Sequence, residues 1–222
     1  MKKLYFGFLA LICGCILSAA EPVLSYDYTD GVIIKGQYGA PIIVDETQML
    51  DGVPSAIRLD GKKNFMRISG GESFSLEKGG TFYAVIRLNE KKDYGMLFFK
   101  PQEFLFGYYR GNMYFAFSLK GEKPFSVPFF LGNIPRGKWI SVAVTVSLHD
   151  GEYQVAQYCC GKKTAHKPVR KTYQKQSSPL TIGKGWGGVW FYSGDIALIQ
   201  AYDVPLSEAE IQALDKKSPF KF

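Results

Sequence analysis

Residues 192–211, with the sequence YSGDIALIQAYDVPLSEAEI, decide the predicted fold. They open with an apolar run that ends at Tyr202 and is typical of a buried β-strand. They close with a helix start, because the Ser207 hydroxyl can accept a hydrogen bond from an early backbone N–H while the Glu210 carboxylate accepts one from the Ser207 backbone N–H. We therefore expect a strand over 195–202, followed by a short structural helix over 207–214 that closes one end of a β structure.

Short apolar runs separated by turn residues precede this stretch. The chain of 222 residues holds 17 Phe, 14 Tyr and 24 Gly, a composition that favours short strands joined by tight turns and excludes a coiled coil or a disordered chain. Every second residue is apolar in 82–88, 113–119 and 142–146, which places these side chains on one face of a strand. The pattern predicts an all-β, two-sheet antiparallel sandwich in one domain, with strands at 23–28, 55–59, 65–68, 81–88, 96–99, 104–108, 113–119, 139–146, 153–159, 180–182 and 195–202.

A family resemblance rests on four stretches: 55–61 with 64–68, 80–86, 138–145 and 192–211. In order and spacing they resemble the laminin-G-like, concanavalin A-like lectin/glucanase family of exported bacterial proteins. The resemblance implies a jelly-roll sandwich over 21–215 with a short C-terminal helix, followed by a basic tail at 216–222. Two departures are Leu198, where an acid is common, and Cys159-Cys160-Gly161-Lys162, which replaces a Val-Asn-Gly-Lys-like turn. The fold hosts lectins, adhesion modules and hydrolases, so it implies no single function.

The amino terminus has the pattern of an export signal. Positive charge at 1–3, an apolar stretch at 4–17 and the small residues Ser18-Ala19-Ala20 predict a signal peptide over 1–20. The stretch is short for a membrane span, and we expect none after cleavage. An alternative is lipidation at Cys15, because residues 12–15 resemble a lipobox. Either route predicts an exported protein, which is secreted, periplasmic or on the cell surface.

Cofactor signals are weak in this sequence. Cys159 and Cys160 are adjacent, so they are either two strand residues on opposite faces or a strained vicinal disulfide. No spacing of Cys and His is typical of a metal site. The resemblance leaves calcium as an alternative, with Asp27, Asp30 and Asp195 as the candidate ligands by position. We otherwise expect no cofactor.

Catalytic signals are equally weak. Glycoside hydrolysis needs two carboxyl groups that face one sugar bond, and no predicted strand carries acids at i and i+2 or i and i+4. His149 lies in a predicted turn and His166 in a predicted basic loop, and neither has a neighbouring nucleophile in the sequence. We expect a non-catalytic binding module, and a hydrolase whose carboxylates meet only in the fold remains the alternative.

A glycine-rich aromatic segment, GWGGVWFY at 185–192, is the first candidate binding site. Flat aromatic rings stack on the apolar face of sugars, and neighbouring glycines let a ligand approach. Trp186, Trp190 and Tyr192 are therefore candidate carbohydrate contacts. Alternatively, Trp190 and Tyr192 fill the core where the last strand begins, and we expect Trp186 to be the more exposed tryptophan.

A basic stretch is the second candidate. Residues 153–194 contain no Asp or Glu, while the whole chain carries a net charge of +7. A region that carries only positive charge attracts anionic polymers, so an anionic polymer of the cell envelope is an alternative partner. Another protein is a further alternative, and export argues against nucleic acid. We expect this stretch and the Trp186 segment to form one basic, aromatic end of the sandwich. The candidate contacts are Lys162, Lys163, Lys167, Arg170 and Lys171.

Overall fold

The structure is a computed structural model that describes residues 20–28, 33–36, 41–44, 48–49, 56–89, 92–125 and 127–220. The described part contains sixteen strands and one α-helix. They are β1 Leu24–Asp27, β2 Ile33–Gly36, β3 Pro41–Val44, β4 Gln48–Met49, β5 Ile57–Asp60, β6 Phe65–Ile68, β7 Gly80–Leu88, β8 Tyr94–Lys100, β9 Phe104–Tyr109, β10 Asn112–Phe117, β11 Val127–Asn133, β12 Trp139–His149, β13 Glu152–Cys159, β14 Lys162–Val169, β15 Thr181–Ile182, β16 Ser193–Tyr202 and α1 Glu208–Lys217.

The strands form two antiparallel sheets. One has nine strands, in the order β14-β13-β12-β7-β16-β1-β2, with β5 beside β16 and β4 beside β5; the other has seven, in the order β11-β10-β9-β8-β15-β6-β3. Aromatic side chains fill the space between them: Phe82 of β7 stacks on Phe98 of β8 with 4.4 Å between ring centroids. The predicted antiparallel sandwich is confirmed.

The predicted core faces are also confirmed. Phe82, Ala84 and Ile86 of β7 point into the core between the sheets, together with Met113 and Phe115 of β10. Their neighbours Tyr83 and Val85 belong instead to a separate apolar cluster on the outer side of the nine-stranded sheet. This is the alternation that a strand imposes on its side chains.

Helix α1 covers this outer side. The capping box forms, since the Glu210 backbone N–H donates to Ser207 Oγ at 3.3 Å and the Ser207 N–H donates to a Glu210 carboxylate oxygen at 2.7 Å. Leu206 and Ile211 pack against the sheet, so the helix lies over a sheet face and does not close an end as expected. We call the covered surface the closed face; its sheet residues include Tyr83, Val85, Ala143, Ala156 and Tyr158.

The predicted basic loop after Cys159 is the edge strand β14, which pairs with β13 from Cys159 to Tyr153. This strand was missed in the sequence because its lysines interrupt the apolar pattern. Exposed edge strands commonly carry charged residues of this kind. His166 therefore lies in a strand, and His149 ends β12 just before the Asp150-Gly151 turn. The sequence also missed β2, β3, β4 and β11.

Within the described residues, no helix is long and apolar enough to cross a membrane. Residues 1–19, which include most of the predicted signal and Cys15, lie outside the described part.

Candidate functional site

The outer side of the seven-stranded sheet is apolar and lies on the opposite side of the sandwich from α1. Met96 and Phe99 of β8, Leu105 of β9 and Ala116 of β10 form a cluster there that is separate from the core. Gly107 of β9 pairs with Met96 of β8 on one side and with Tyr114 of β10 on the other. It must be glycine, because a Cβ at this position would lie 2.2 Å from the Gly95 carbonyl oxygen.

A cavity of about 290 Å³ opens on this surface. Three aromatic rings from outside these strands form the walls. The lining residues are Met96, Leu105, Tyr114, Pro124, Phe125, Trp186 and Trp190.

The segment from Gly185 to Trp190 folds back on β8 and presents Trp186. The Trp190 carbonyl oxygen accepts hydrogen bonds from the backbone N–H groups of Gly185 at 3.1 Å and Met96 at 3.3 Å. Gly187 and Gly188 adopt left-handed φ values of 64° and 69°, which glycine tolerates best. The Trp186 ring stays 54% exposed and rests edge-on against Phe125, with ring centroids 5.6 Å apart.

Trp186 also lines a second cavity of about 250 Å³, together with Phe99, Pro101, Gln102 and Gly187. The Trp186 ring is thus a wall shared by two hollows. The tip of the β8–β9 hairpin, where Gln102 has a left-handed φ of 59°, borders the second hollow.

A buried ion pair holds this hairpin in place. Lys100 and Glu103 have no exposed side-chain surface, and their charged atoms are 2.8 Å apart. The Lys100 ammonium also donates to the Glu72 carbonyl oxygen at 2.9 Å, and the Tyr173 hydroxyl donates to the Glu103 carboxylate at 2.9 Å. Burial raises the pKa of Tyr173 well above its ordinary value, which keeps the hydroxyl a donor. The network joins three segments beneath the second hollow.

Aromatic contacts extend the surface beyond the cavities. Trp190 stacks on Tyr109 with 5.4 Å between centroids and lies 5.1 Å from the Tyr94 ring. The Arg110 guanidinium lies 5.1 Å from the centre of the Tyr109 ring. We call this surface the aromatic face and define it by Tyr94, Tyr109, Tyr114, Phe125, Trp186 and Trp190.

The structure places Trp186 and Trp190 on this face but not Tyr192. Trp190 is half-buried, so Trp186 is the more exposed of the two, in the expected order. Tyr192 is 0% exposed, and its hydroxyl donates to the Asp195 carbonyl oxygen at 3.2 Å. Its ring meets Tyr108 edge-on in the core. Tyr192 as a ligand contact is therefore corrected: it is a core residue.

Sequence reasoning missed four residues of the aromatic face: Tyr94, Tyr109, Tyr114 and Phe125. Tyr114 carried a usable signal, because it alternates with the core residues Met113 and Phe115 and must point outward. The sequence does not indicate which outward-facing aromatic residues contact Trp186, because those contacts depend on the order of the strands in the sheet.

The candidate cations whose side chains are described do not line either hollow. Lys162 and Lys163 are exposed at one end of β14, while Arg170 and Lys171 follow its other end, roughly 25 Å away at about 3.3 Å per strand residue. This strand is an edge of the other sheet from β15, and the single basic, aromatic end stays a prediction. The side chain of Lys167 lies outside the described part.

Acids from other segments also neutralise the basic stretch. Arg170 pairs with Glu152 at 3.3 Å, and Lys171 pairs with Glu122. A cleft of about 800 Å³ beside Arg170 is lined by Asp150 and Glu152 as well as by the two cations, so its charge is mixed.

Of the acids proposed for calcium, Asp27 and Asp195 lie in the described part of the chain and belong to no group of metal-binding side chains found there. Asp195 is buried, and its carboxylate oxygens lie 2.8 Å from Arg58 Nε and 2.6 Å from an Arg87 guanidinium nitrogen. A cation at this carboxylate would have to displace two arginines. Asp30 lies outside the described residues, and among those described no three His, Cys, Asp or Glu side chains are grouped to hold a metal ion.

The comparisons agree with this architecture. The profile of the concanavalin A-like lectin/glucanases superfamily matches residues 60–212, which is more than half of the chain. The chain therefore belongs to the concanavalin A-like lectin/glucanases superfamily. A comparison with curated protein sequences finds no match.

Solved structures share the fold at low identity. Domain 4 of the extracellular GH43 arabinanase of Geobacillus stearothermophilus, in complex with arabinotriose, is 15% identical, with a TM-score of 0.67 over 89% of this chain and 100% of that one. The botulinum neurotoxin serotype D ligand-binding domain, in complex with N-acetylneuraminic acid, is 10% identical, with a TM-score of 0.69 over 88% of this chain and 50% of that one. The type G receptor-binding domain is 11% identical, with a TM-score of 0.66 over 89% and 51%. The chain spans about half the length of these toxin domains.

Proposed function

We propose that this chain is a non-catalytic module that binds carbohydrate on its aromatic face. The observation that carries the proposal is Trp186, which is 54% exposed and lines two hollows of about 290 and 250 Å³. Each hollow is near the lower end of the size range of small-ligand pockets, roughly 300–1,000 Å³. One sugar ring in each hollow, each in contact with Trp186, is the arrangement that fits.

Stacking on the apolar face of the sugar supplies most of the contact. Met96, Leu105 and Phe125 in the first hollow and Phe99 in the second are apolar. The polar groups of the lining are the Tyr114 hydroxyl, the tryptophan N–H groups, the Gln102 side chain and backbone atoms. The structural neighbours solved with arabinotriose and with N-acetylneuraminic acid support a glycan ligand, although each shares only the fold with this chain.

The lining residues support binding without cleavage. Neither hollow is lined by an acidic residue in the described part of the chain, whereas glycoside hydrolysis ordinarily requires two carboxyl groups about 5–10 Å apart. Glu103, the acid nearest in sequence to the second hollow, is held by Lys100 beneath the surface.

A polysaccharide panel tests the proposal. Wild-type protein is tested by affinity electrophoresis against arabinan, other neutral polysaccharides and sialylated glycans. We expect retention by at least one glycan, and retention by none contradicts the proposal. Trp186→Ala should lose at least tenfold in affinity, about 1.4 kcal/mol. Val189→Ala is the matched control, because Val189 is 57% exposed in the same segment and lines neither hollow.

Salt separates this proposal from adhesion to an anionic polymer. Affinity that rests on stacking changes little with ionic strength, while affinity through Lys162, Lys163 and Arg170 falls steeply as exposed charges are screened. A steep loss between low and high salt, with Trp186→Ala unchanged, would favour the anionic polymer.

We also propose that the chain is exported by the signal at 1–20. The support is the order of charge, apolar stretch and small residues at the amino terminus. Mass spectrometry of the processed protein tests it: cleavage after Ala20 leaves Glu21 as the first residue, and lipidation leaves a modified Cys15. An unprocessed Met1 in an exporting host would contradict export.

A further inference from the structure

The turn between β13 and β14 holds two neighbouring thiols. Cys159 ends β13, Cys160 and Gly161 form the turn, and the two Sγ atoms are 3.9 Å apart. Adjacent strand residues point to opposite faces, but Cys160 has a left-handed φ of 49°, which turns its side chain back toward Cys159. Both side chains are half-buried, and both are free thiols.

The turn itself does not call for a cysteine. The Asp150-Gly151 turn has nearly the same φ values, 49° and 75°, as the Cys160-Gly161 turn at 49° and 70°. Asp, Asn and Gly are the residues that such turns favour, because other side chains meet steric strain of about 1–2 kcal/mol there. Cys160 therefore occupies a position at which its conformation is disfavoured while its thiol is brought beside a second thiol.

The two thiols differ in acidity. A hydrogen bond from the Cys159 thiol lowers the pKa of Cys160 to about 7, against burial, which acts in the opposite direction. The same hydrogen bond and burial raise the pKa of Cys159. The thiolate is the nucleophile in disulfide exchange, and a thiol whose pKa is near the ambient pH attacks most effectively.

We propose that Cys159 and Cys160 form a thiol–disulfide exchange site that closes reversibly into a vicinal disulfide. The Cys160 thiolate attacks one sulfur of a small-molecule disulfide, forms a mixed disulfide and releases one thiolate. Cys159 then loses its proton to solvent, attacks Cys160 Sγ and releases the second thiolate. Two protein thiols are oxidised to one disulfide while the small disulfide is reduced to two thiols.

The bond would be labile, because its geometry is strained. Adjacent residues have Cα atoms 3.8 Å apart, below the usual 4.4–6.8 Å for disulfides. Strained disulfides have higher reduction potentials and are the reversible ones. The ring encloses a single peptide bond, so it stabilises the fold little by restricting the unfolded chain.

Formation of the disulfide would alter the contacts between this turn and α1. Gln212 Nε2 donates to the Gly161 carbonyl oxygen at 3.5 Å, and the Asp215 carboxylate lies against the same glycine. The Cys160 N–H donates to the Ser141 carbonyl oxygen of β12 at 3.0 Å. A change in the turn on oxidation therefore reaches both the helix and the closed face beneath it.

Redox titration of the reduced full chain tests the proposal. The protein is equilibrated in buffers of rising glutathione disulfide to glutathione ratio, its remaining thiols are alkylated, and the tryptic peptide 139–162, which contains these two cysteines and no others, is weighed. We expect a reversible change from two alkylated thiols to a species lacking two hydrogens and carrying no glutathione. Two free thiols at every ratio, a stable glutathione adduct on the wild-type peptide, or a disulfide between chains would each overturn it.

Single substitutions assign the two roles. Cys159→Ser should accumulate the glutathione adduct on Cys160, because the second attack is lost. Cys160→Ser should react at least tenfold more slowly, because the remaining Cys159 thiol is the less acidic one. Equal reaction rates in the two variants contradict the assignment, and a near-ultraviolet circular dichroism spectrum matching wild type verifies that each variant is folded.

Discussion

The outer surfaces of the two sheets are both apolar, but helix α1 covers only one of them. On the closed face, Tyr83 and Val85 are at most 1% exposed because Leu206 and Ile211 lie over them. On the aromatic face, α1 is absent, and aromatic side chains outside β8 and β9 lie over the buried residues of the sheet; among them Trp186 remains 54% exposed. Apolar side chains that a domain leaves exposed as a patch commonly mark a binding site. The difference shows which of the two surfaces is available to a ligand.

The largest expected effect breaks the support beneath the aromatic face. Glu103→Gln leaves the Lys100 ammonium buried without its counter-charge, and removing one partner of a buried pair costs about 3–5 kcal/mol. Urea unfolding measures the loss. A loss below about 1 kcal/mol would show that the ion pair does not hold the β8–β9 hairpin. Replacing both partners, as Lys100→Met with Glu103→Leu, should recover much of the stability.

The next effect separates the two surfaces directly. Ile211→Ala should cost about 2–5 kcal/mol in unfolding free energy, because its side chain is 1% exposed between α1 and the sheet. Val189→Ala, on the exposed segment beside Trp186, should stay within about 0.5 kcal/mol of wild type. Similar losses for both variants would contradict the distinction between a covered and an uncovered face.

A smaller effect concerns how the covering helix begins. Ser207→Ala removes the acceptor of the Glu210 N–H and should cost about 1 kcal/mol. Ser207→Gly should cost only a few tenths, because glycine is also favoured at this position. Chemical denaturation of both variants measures the two losses in stability. A Ser207→Ala variant as stable as wild type would mean that α1 is held by packing alone.

The smallest effect is the pH dependence of the closed face. Burial raises the pKa of Asp215, whose carboxylate accepts from the Tyr83 hydroxyl at 2.8 Å. The folded state thus favours the protonated acid: its stabilising contribution is full below the unfolded pKa of about 3.9 and is lost as pH rises through the folded pKa. Asp215→Asn should reduce the change of the urea midpoint with pH across this window. Asp203→Asn, an exposed control, should leave that pH dependence unchanged.

The strand and the helix start that build the closed face could be predicted from sequence, but not that α1 lies over the sheet, and little of the aromatic face could be predicted. Alternation in 82–88 and the capping box at Ser207 are local signals, and both were confirmed. The aromatic face joins Tyr114, Phe125 and Trp186, which are far apart in sequence and meet because β8 lies between β9 and β15. Strand order is a long-range property that a single sequence does not state. The edge strand β14 was missed for a different reason, since its charges hide the strand pattern.

Calorimetric titration with the tightest-binding oligosaccharide of the panel tests the central claim most directly. Trp186→Ala and Tyr114→Ala, which both change the lining of the first hollow, should each lose at least tenfold in affinity, about 1.4 kcal/mol. Leu148→Ala, 41% exposed beside the mixed-charge cleft of the other sheet, should bind as wild type does. Undiminished binding by both aromatic variants, or a loss confined to Leu148→Ala, would contradict the assignment of the aromatic face as the glycan site.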